Sequence, residues 1–570
     1  MTASRTWRGD AWLALAFVCA TNAALLWFFH NRYWFPTDDG FYAHIAERLL
    51  AGEVLNRDVQ DIHPGYVHVL HVIAFRLFGI DLVSLRYPLI AAAFIQSVVA
   101  FALLRQRSLL LAVIGSVAAT SLGVVQFMSP NGNWYCLALA VLLAWWLTTM
   151  PDGPARLVGA GFILGTLTWF RHLTGVWVAM ALISIVLMER SGDGRGGQLA
   201  LLRLQIAIML VALAAYLYWN RDTEVGGFVF MGVWPLAVLT WMLFNTRTRN
   251  GDVAATVGQL FAGSILASAP QLLYHLLHGS VGDFIHDLVF VAAAETDLDF
   301  YGHGWFGMLP LAGFLQAATS SEPARIANGL YWTLLPATSG WNGVLLLRAL
   351  RNKVPARLLA LPVIAAFFAV VSVQYEGPLY LYYSVGLSLI SMLWLVSEST
   401  RAVKVAVALI AIGLCVVALR FHAGQTRERT AVQIIAGDRV TDLSTQVNCD
   451  LPRCSLKISA ADAAVYGRFV RTITAATGPG ESILAIPNDA ELYFLSQRRN
   501  PTRFYNAVHG TATPELLSEA KGVVEQARPR LVIFRPGDKY RNRPTAELMA
   551  AVRRKYALAG QQDGTEIYRR

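Results

Sequence analysis

The residues with the most obvious chemistry crowd into one short polar stretch: Asp38, Asp39, Arg57, Asp58, Asp61 and His63. They follow an apolar run, 11 to 29, in a chain that is 55% hydrophobic and only 15% charged. Ionisable groups pressed against a membrane are costly unless they are paired or used. A carboxylate such as Asp38 beside a second one, Asp39, at a low-dielectric boundary has reason for a raised pKa, a property that fits proton transfer. The cationic or partly cationic groups Arg57, His63 and the pair Arg171 and His172 lie in the same stretch or at the end of a later apolar run. Plain structural roles compete with each assignment. Asp38 or Asp39 fits a helix cap, Arg57 with Asp58 or Asp61 fits a surface ion pair, and Arg171 with His172 fits a snorkelling interfacial pair.

The elements that must position these groups follow from composition. An ordinary soluble domain is about a quarter charged, so this chain is not a soluble globular enzyme, and its 11% aromatic content argues against disorder. Apolar stretches of about 14 to 23 residues, most of them long enough for the roughly 30 Å hydrocarbon core, fall at 11 to 29, 85 to 104, 108 to 126, 134 to 150, 157 to 170, 173 to 188, 199 to 219, 227 to 244, 255 to 277, 330 to 350, 357 to 374, 379 to 396 and 403 to 420. One more, 64 to 79, is apolar but short and carries His68, His71 and Arg76. If it does not cross, then Arg105 and Arg107, Arg156, Arg190 and Arg195, Arg247 and Arg249, Arg348 to Lys353, and Arg401 with Lys404 share the cytoplasmic side of Arg5 and Arg8, as the positive-inside rule demands. If it crosses, nearly all of them fall outside. It is therefore expected to lie in the outer interface, leaving external segments 30 to 84 and 278 to 328 and an external tail. Phe41 to Ala51, with Phe41, Ile45 and Leu49 opposite His44, Glu47 and Arg48, reads as an amphipathic interfacial helix. The second external segment holds Glu295, Asp297 and Asp299, then Tyr301 to Gly304 with His303, then an apolar, interfacial 305 to 317.

Residues 1 to 420 thus form a membrane domain and 421 to 570 a separate one. The tail carries 22 Lys and Arg against 15 Asp and Glu, most of the net charge of +10, and tethered to a membrane body it is expected near anionic lipid or substrate rather than on nucleic acid. β-branched runs at 482 to 487 and 531 to 536 around a helical pattern at 514 to 527 predict a small α/β domain. Cys19, Cys136 and Cys415 sit in apolar runs, whereas Cys449 and Cys454 have the spacing for a small disulfide in an oxidising compartment.

The order of features resembles the GT-C glycosyltransferases of the protein-mannosyltransferase and aminoarabinose-transferase type. The resemblance rests on Asp38 to Tyr42 after the first span, the helix ending Leu49 to Gly52, Asn56 to Asp58, His63 to Tyr66, a second short helix ending Leu77 to Gly79, and Arg86 at the start of the next helix. It implies a polytopic α-helical membrane fold of about 13 spans with a small C-terminal α/β extracytoplasmic domain. It also implies transfer of a sugar from a polyprenyl-phosphate donor to a glycan, lipid or protein acceptor at the periplasmic face of a bacterial inner membrane. Asp38 matches the family's catalytic base, with Asp39 beside it. Arg57, His63, Arg171, His172 and Tyr382 become candidates for the donor phosphate, and Asp58, Asp61, Asn131 and Asn133 for sugar or acceptor. Tyr382 belongs to the group Tyr380, Tyr382 and Tyr383 that follows Tyr375 to Pro378, and an aromatic belt accounts for those tyrosines equally well.

The chain departs from the pattern in two places. His63 and Arg171-His172 stand where relatives carry lysines, and His is only partly charged near neutrality. Met128 to Asn133 lacks the relatives' second Asp, so no cofactor is expected to be required. If Mg, Mn or Ca is used, Asp39, Asp58 and Asp61 are the nearest oxygen ligands. A flippase or transporter of lipid-linked sugars, or a noncatalytic GT-C-like subunit, remains as an alternative.

Overall fold

The computed structural model describes residues 9–189, 196–219, 225–245, 253–294, 305–373, 378–423, 445–526, 529–538, 540 and 542–570. The first eight helices are α1 (Gly9–Phe29), α2 (Pro36–Leu50), α3 (Tyr66–Phe78), α4 (Arg86–Leu104), α5 (Leu109–Ser121), α6 (Gly132–Thr149), α7 (Pro154–Phe170) and α8 (His172–Glu189). Among the described residues ten helices are long and apolar enough to cross a bilayer. The three other expected spans are also helical but shorter or more polar: α7, Pro323–Arg351 and Ala356–Ser372. The acidic run 295 to 299, Tyr301 to Gly304 with His303, and Tyr375 to Gly377 lie outside the described residues.

α3 has 13 residues and at about 1.5 Å per residue is too short to span. It buries Val67, His68, His71, Ala74 and Phe75 and turns Val69, Ile73, Leu77 and Phe78 outward, an apolar outer face that suits lipid rather than water. α2 differs from its expected form. It starts at Pro36, which occupies the first turn where its missing N–H costs nothing, and it is buried on nearly every side from Asp39 to Ala46. The face expected to meet water is covered by the C-terminal domain: His44 stacks on Tyr493 with ring centroids 4.9 Å apart. Gly40 touches the backbone of Glu491 so closely that a Cβ would lie 2.7 Å from its Cα.

The C-terminal domain is α/β. Strands β1 (Gln446–Asn448) and β2 (Lys457–Ser459) pair antiparallel, and the loop between them is closed by a Cys449–Cys454 disulfide. A four-stranded sheet has the order β3-β4-β6-β5, in which β3 (Ile483–Ile486) and β4 (Leu531–Phe534) run parallel, β4 pairs antiparallel with β6 (Thr565–Arg569), and β5 (Ala557–Gln562) with β6 makes a hairpin. β3, β4 and the helix Pro514–Gln526 match the expected pattern. The domain is sewn to the loop after α1: Lys457 donates to the Asn31 carbonyl at 2.6 Å, and Tyr33 donates to the Lys457 carbonyl at 2.8 Å. Arg453 pairs with Glu47 of α2, and Arg48 donates to the Thr502 carbonyl at 2.9 Å.

Candidate active site

Asp38 and Asp39 occupy the first turn of α2, not its cap, which is Phe35. Asp39 points into the protein. Its Oδ2 accepts from the Phe35 backbone N–H at 3.1 Å and from Arg86 at 2.9 Å. Burial pushes its carboxyl above the ordinary range even though Arg86 pulls the other way. Arg86, fully buried, also donates to the carbonyls of His30, Arg32 and Tyr33. This clamp fixes the α1–α2 turn and so aims the half-buried Asp38.

One turn further on, Tyr42 sits at the centre of the polar cluster. Burial raises its phenol well above the ordinary range, as do the charges of Asp38, Asp61 and Tyr383, while Arg171 lowers it. Asp38 and Asp61 thus lie on one side of the electrostatic balance at Tyr42 and Arg171 on the other. Arg171 ends α7, donates to Asn133 Oδ1, and sits 5.9 Å from the centroid of the Tyr380 ring. Asn131 caps α6 by accepting from the Asn133 N–H at 3.0 Å, and it donates to Tyr383 Oη at 2.9 Å.

Below Tyr42, Asp61 is buried between two imidazoles: His63 Nδ1 lies 2.9 Å from Oδ1 and His68 Nε2 lies 2.5 Å from Oδ2. Tyr505 of the C-terminal domain donates to Oδ1 at 3.3 Å and stacks on Phe41 at 4.8 Å. Burial alone would raise the Asp61 carboxyl, but the His63 and His68 charges and hydrogen bonds outweigh it and hold the group below the ordinary carboxylate range. The loop is pinned by Asn56, which donates to the Asp61 carbonyl at 2.7 Å and to the buried Asp287 at 3.0 Å. Arg503 reaches the same Asp287 at 3.3 Å.

Of the residues singled out in the sequence, the structure brings Asp38, Asp61, His63 and Arg171 near Tyr42 and ties Asn133 to Arg171 and Asn131 to Tyr383. His172 follows Arg171 at the start of α8. Three others lie elsewhere. Arg57 is exposed and bonds Asp58 at 2.9 Å and the His278 carbonyl at 3.2 Å. Asp58 closes its own turn by accepting from the Val54 N–H at 2.8 Å. Tyr382 is packed inside the bundle with its hydroxyl 2.7 Å from that of Tyr331. Tyr383, the next residue, faces the site instead. Nor do Asp39, Asp58 and Asp61 converge, because the first two are held by Arg86 and by Arg57 with Val54. Among the described residues the groups placed to share an ion are Asp61, His63 and His68, whose ligand atoms all lie within 4.8 Å of one another. His68 and Tyr505 were not legible as site residues, although His68 and His71 sit three apart on one face of α3, a spacing that could have marked them.

A cleft of about 320 Å³ opens behind His68, walled by Val69, Val72 and Ile73 of α3, Leu55, and Tyr274. No protein-family model matches the chain and no curated protein matches it. Among solved structures it is similar to ArnT from Cupriavidus metallidurans bound to undecaprenyl phosphate, at 13% identity and a TM-score of 0.39, over 98% of each chain. It is likewise similar to the same protein in its apo state, at 12% identity and a TM-score of 0.41, over 98% of this chain and 97% of that one.

Proposed function

We propose that this protein is a membrane glycosyltransferase that moves a sugar from a polyprenyl-phosphate donor to an acceptor hydroxyl at the external, periplasmic face of a bacterial inner membrane. The observation that carries the reading is that the charges of a half-buried carboxylate, Asp38, and of a cationic group, Arg171, both act on the buried Tyr42. Tyr42 lies beside a short helix whose outer face suits lipid. A transferase of this kind needs a base on one side of the sugar and a phosphate ligand on the other. Asp38 takes the proton from the acceptor hydroxyl as its oxygen attacks the anomeric carbon. The C–O bond to the phosphate breaks, and the phosphate leaves with the electron pair toward Arg171 and His63. Attack and departure on opposite faces invert the anomeric centre. The apolar cleft beside α3 is a fitting place for the start of the isoprenoid chain.

The test is reconstitution in vesicles with a panel of polyprenyl-phosphate sugars, guided by mass spectrometry of envelope glycans and lipids from a strain lacking the gene. The reading predicts a product whose anomeric configuration is inverted relative to the donor, and an Arg171→Ala enzyme with donor KM raised roughly 10-fold or more, as expected for loss of a charge-assisted phosphate contact worth about 1.5–3 kcal/mol. Retention of configuration would overturn the single displacement. Movement of intact lipid-linked sugar between leaflets without transfer would assign the protein to flippases instead.

A further inference from the structure

Asp61 has an unusual partner set for a carboxylate with no exposed side-chain surface. Its carboxylate oxygens meet the two imidazoles and the Tyr505 phenol, with no Arg or Lys in contact among the described residues. A buried carboxylate is stable only when its charge is matched. The groups that converge on it are also potential ligands: two imidazole nitrogens, once deprotonated, and a carboxylate are a known donor set for zinc and other first-row divalent ions.

The chain is shaped to bring these three together. Asp61, His63 and His68 are separated by one and four residues, and the turn between the histidines runs through Pro64 and Gly65. Gly65 adopts φ +120°, and a Cβ there would meet the Gln271 side chain at 2.3 Å. The backbone on the other side is held by Asn56 and by Gln60, which donates to the Arg503 carbonyl at 2.7 Å. Bonds of about 2.0–2.2 Å to one ion would set touching ligand atoms about 3.3 Å apart, a small movement from the 2.9 and 2.5 Å seen here. Tyr505 supplies the outer hydrogen bond that orients a ligating carboxylate. His63 keeps a quarter of its side chain exposed, so the site is accessible from that side.

We propose that Asp61, His63 and His68 bind one first-row divalent ion of the zinc type, with a remaining coordination position open on the His63 side to an anionic oxygen. That the oxygen belongs to the donor phosphate rests on the glycosyltransferase reading; the ion site itself does not. Oxygen-preferring Mg²⁺ is a poor fit to two nitrogen ligands.

The test uses full-length protein purified without a polyhistidine tag, stripped with a chelator and titrated with Zn²⁺ or Co²⁺ in detergent. The expected result is one ion per chain by elemental analysis and a visible Co²⁺ absorption typical of a nitrogen-ligated, low-coordinate site. His63→Ala and Asp61→Asn should lose both signals, and Tyr505→Phe should weaken affinity roughly 10–100-fold. Excess Mg²⁺ should leave the Co²⁺ band unchanged. Thermal unfolding of the stripped proteins checks that the variants fold, and Tyr505→Phe decides if the ligand variants do not. No stoichiometric ion in the wild type, an undiminished band in His63→Ala, unchanged affinity in Tyr505→Phe, or displacement by Mg²⁺ would each overturn the site. Binding without sugar transfer removes the function reading alone, and transfer by a protein that binds no ion removes the site alone.

Discussion

Arg86 makes four hydrogen bonds to the turn between α1 and α2, three to backbone carbonyls and one to Asp39. Both side chains of the Arg86–Asp39 pair are almost wholly inaccessible, at 0% and 2%. Removing one partner of such a pair leaves an uncompensated charge in a low-dielectric site, which costs about 3–5 kcal/mol. Asp39→Asn is therefore expected to lower the thermal unfolding midpoint in detergent markedly, with activity falling in proportion to the folded fraction. Asp38→Asn, on the half-exposed side of the same turn, is expected to leave the midpoint close to wild type. Equal midpoints for the two variants would contradict the division of labour between these adjacent carboxylates. The pair also explains what sequence could and could not say: two acids in a first turn are visible, but which one faces Arg86 depends on the exact start of α2 at Pro36, and that start is set by packing.

At the scale of elements, the helix Ala490–Ser496 presses on α2 and brings two buried acids with it. Burial pushes the Glu491 carboxyl up and the neighbouring Asp489 charge pushes it further, while Arg535 pulls it down. Burial also raises Asp489, with Arg535 lowering it and Asp538 raising it. Glu491 accepts from the Tyr466 hydroxyl at 2.9 Å, and Arg535 donates to Asp489 at 2.6 Å. A carboxyl raised in the native state binds more protons there than in the unfolded chain, so stability falls as pH climbs from the ordinary carboxylate range through the raised native values. The slope from one such group is at most about 1.4 kcal/mol per pH unit. Glu491→Gln, which mimics the protonated form, is expected to flatten the decline of unfolding midpoint between acidic and mildly alkaline pH. An unchanged pH slope would mean that this helix docks with Glu491 ionised. The docking itself was hidden from sequence reasoning, because the polar face of α2 has the pattern of a water-facing surface and only the domain packed on it reveals otherwise.

Across the whole molecule, most of the architecture was legible because it follows from long periods and crude composition. Apolar length marked the spans and the short α3, and β-branched runs marked β3 and β4. The cysteine spacing suggested the disulfide. Less was legible in β5, an edge strand of small and polar residues (Ala557–Gln562) that is exposed along nearly all its length. In the site, the sequence pointed to the segment after α1 and to Arg171, since charge is rare in such a chain. It could not separate Tyr383 from Tyr382, which differ only in which side of a helix they face, nor foresee Tyr505, which arrives from a domain more than four hundred residues away. The molecule as a whole is thus a membrane body whose polar segment after α1 is packed against its tail. In the proposed reaction Asp38 is the base. The most direct measurement is sugar transfer by full-length Asp38→Asn in vesicles, beside wild type, with donor binding and unfolding midpoint measured on the same samples. Transfer is expected to fall at least about 100-fold with binding and midpoint near wild type; transfer at wild-type rate would rule out Asp38 as the base.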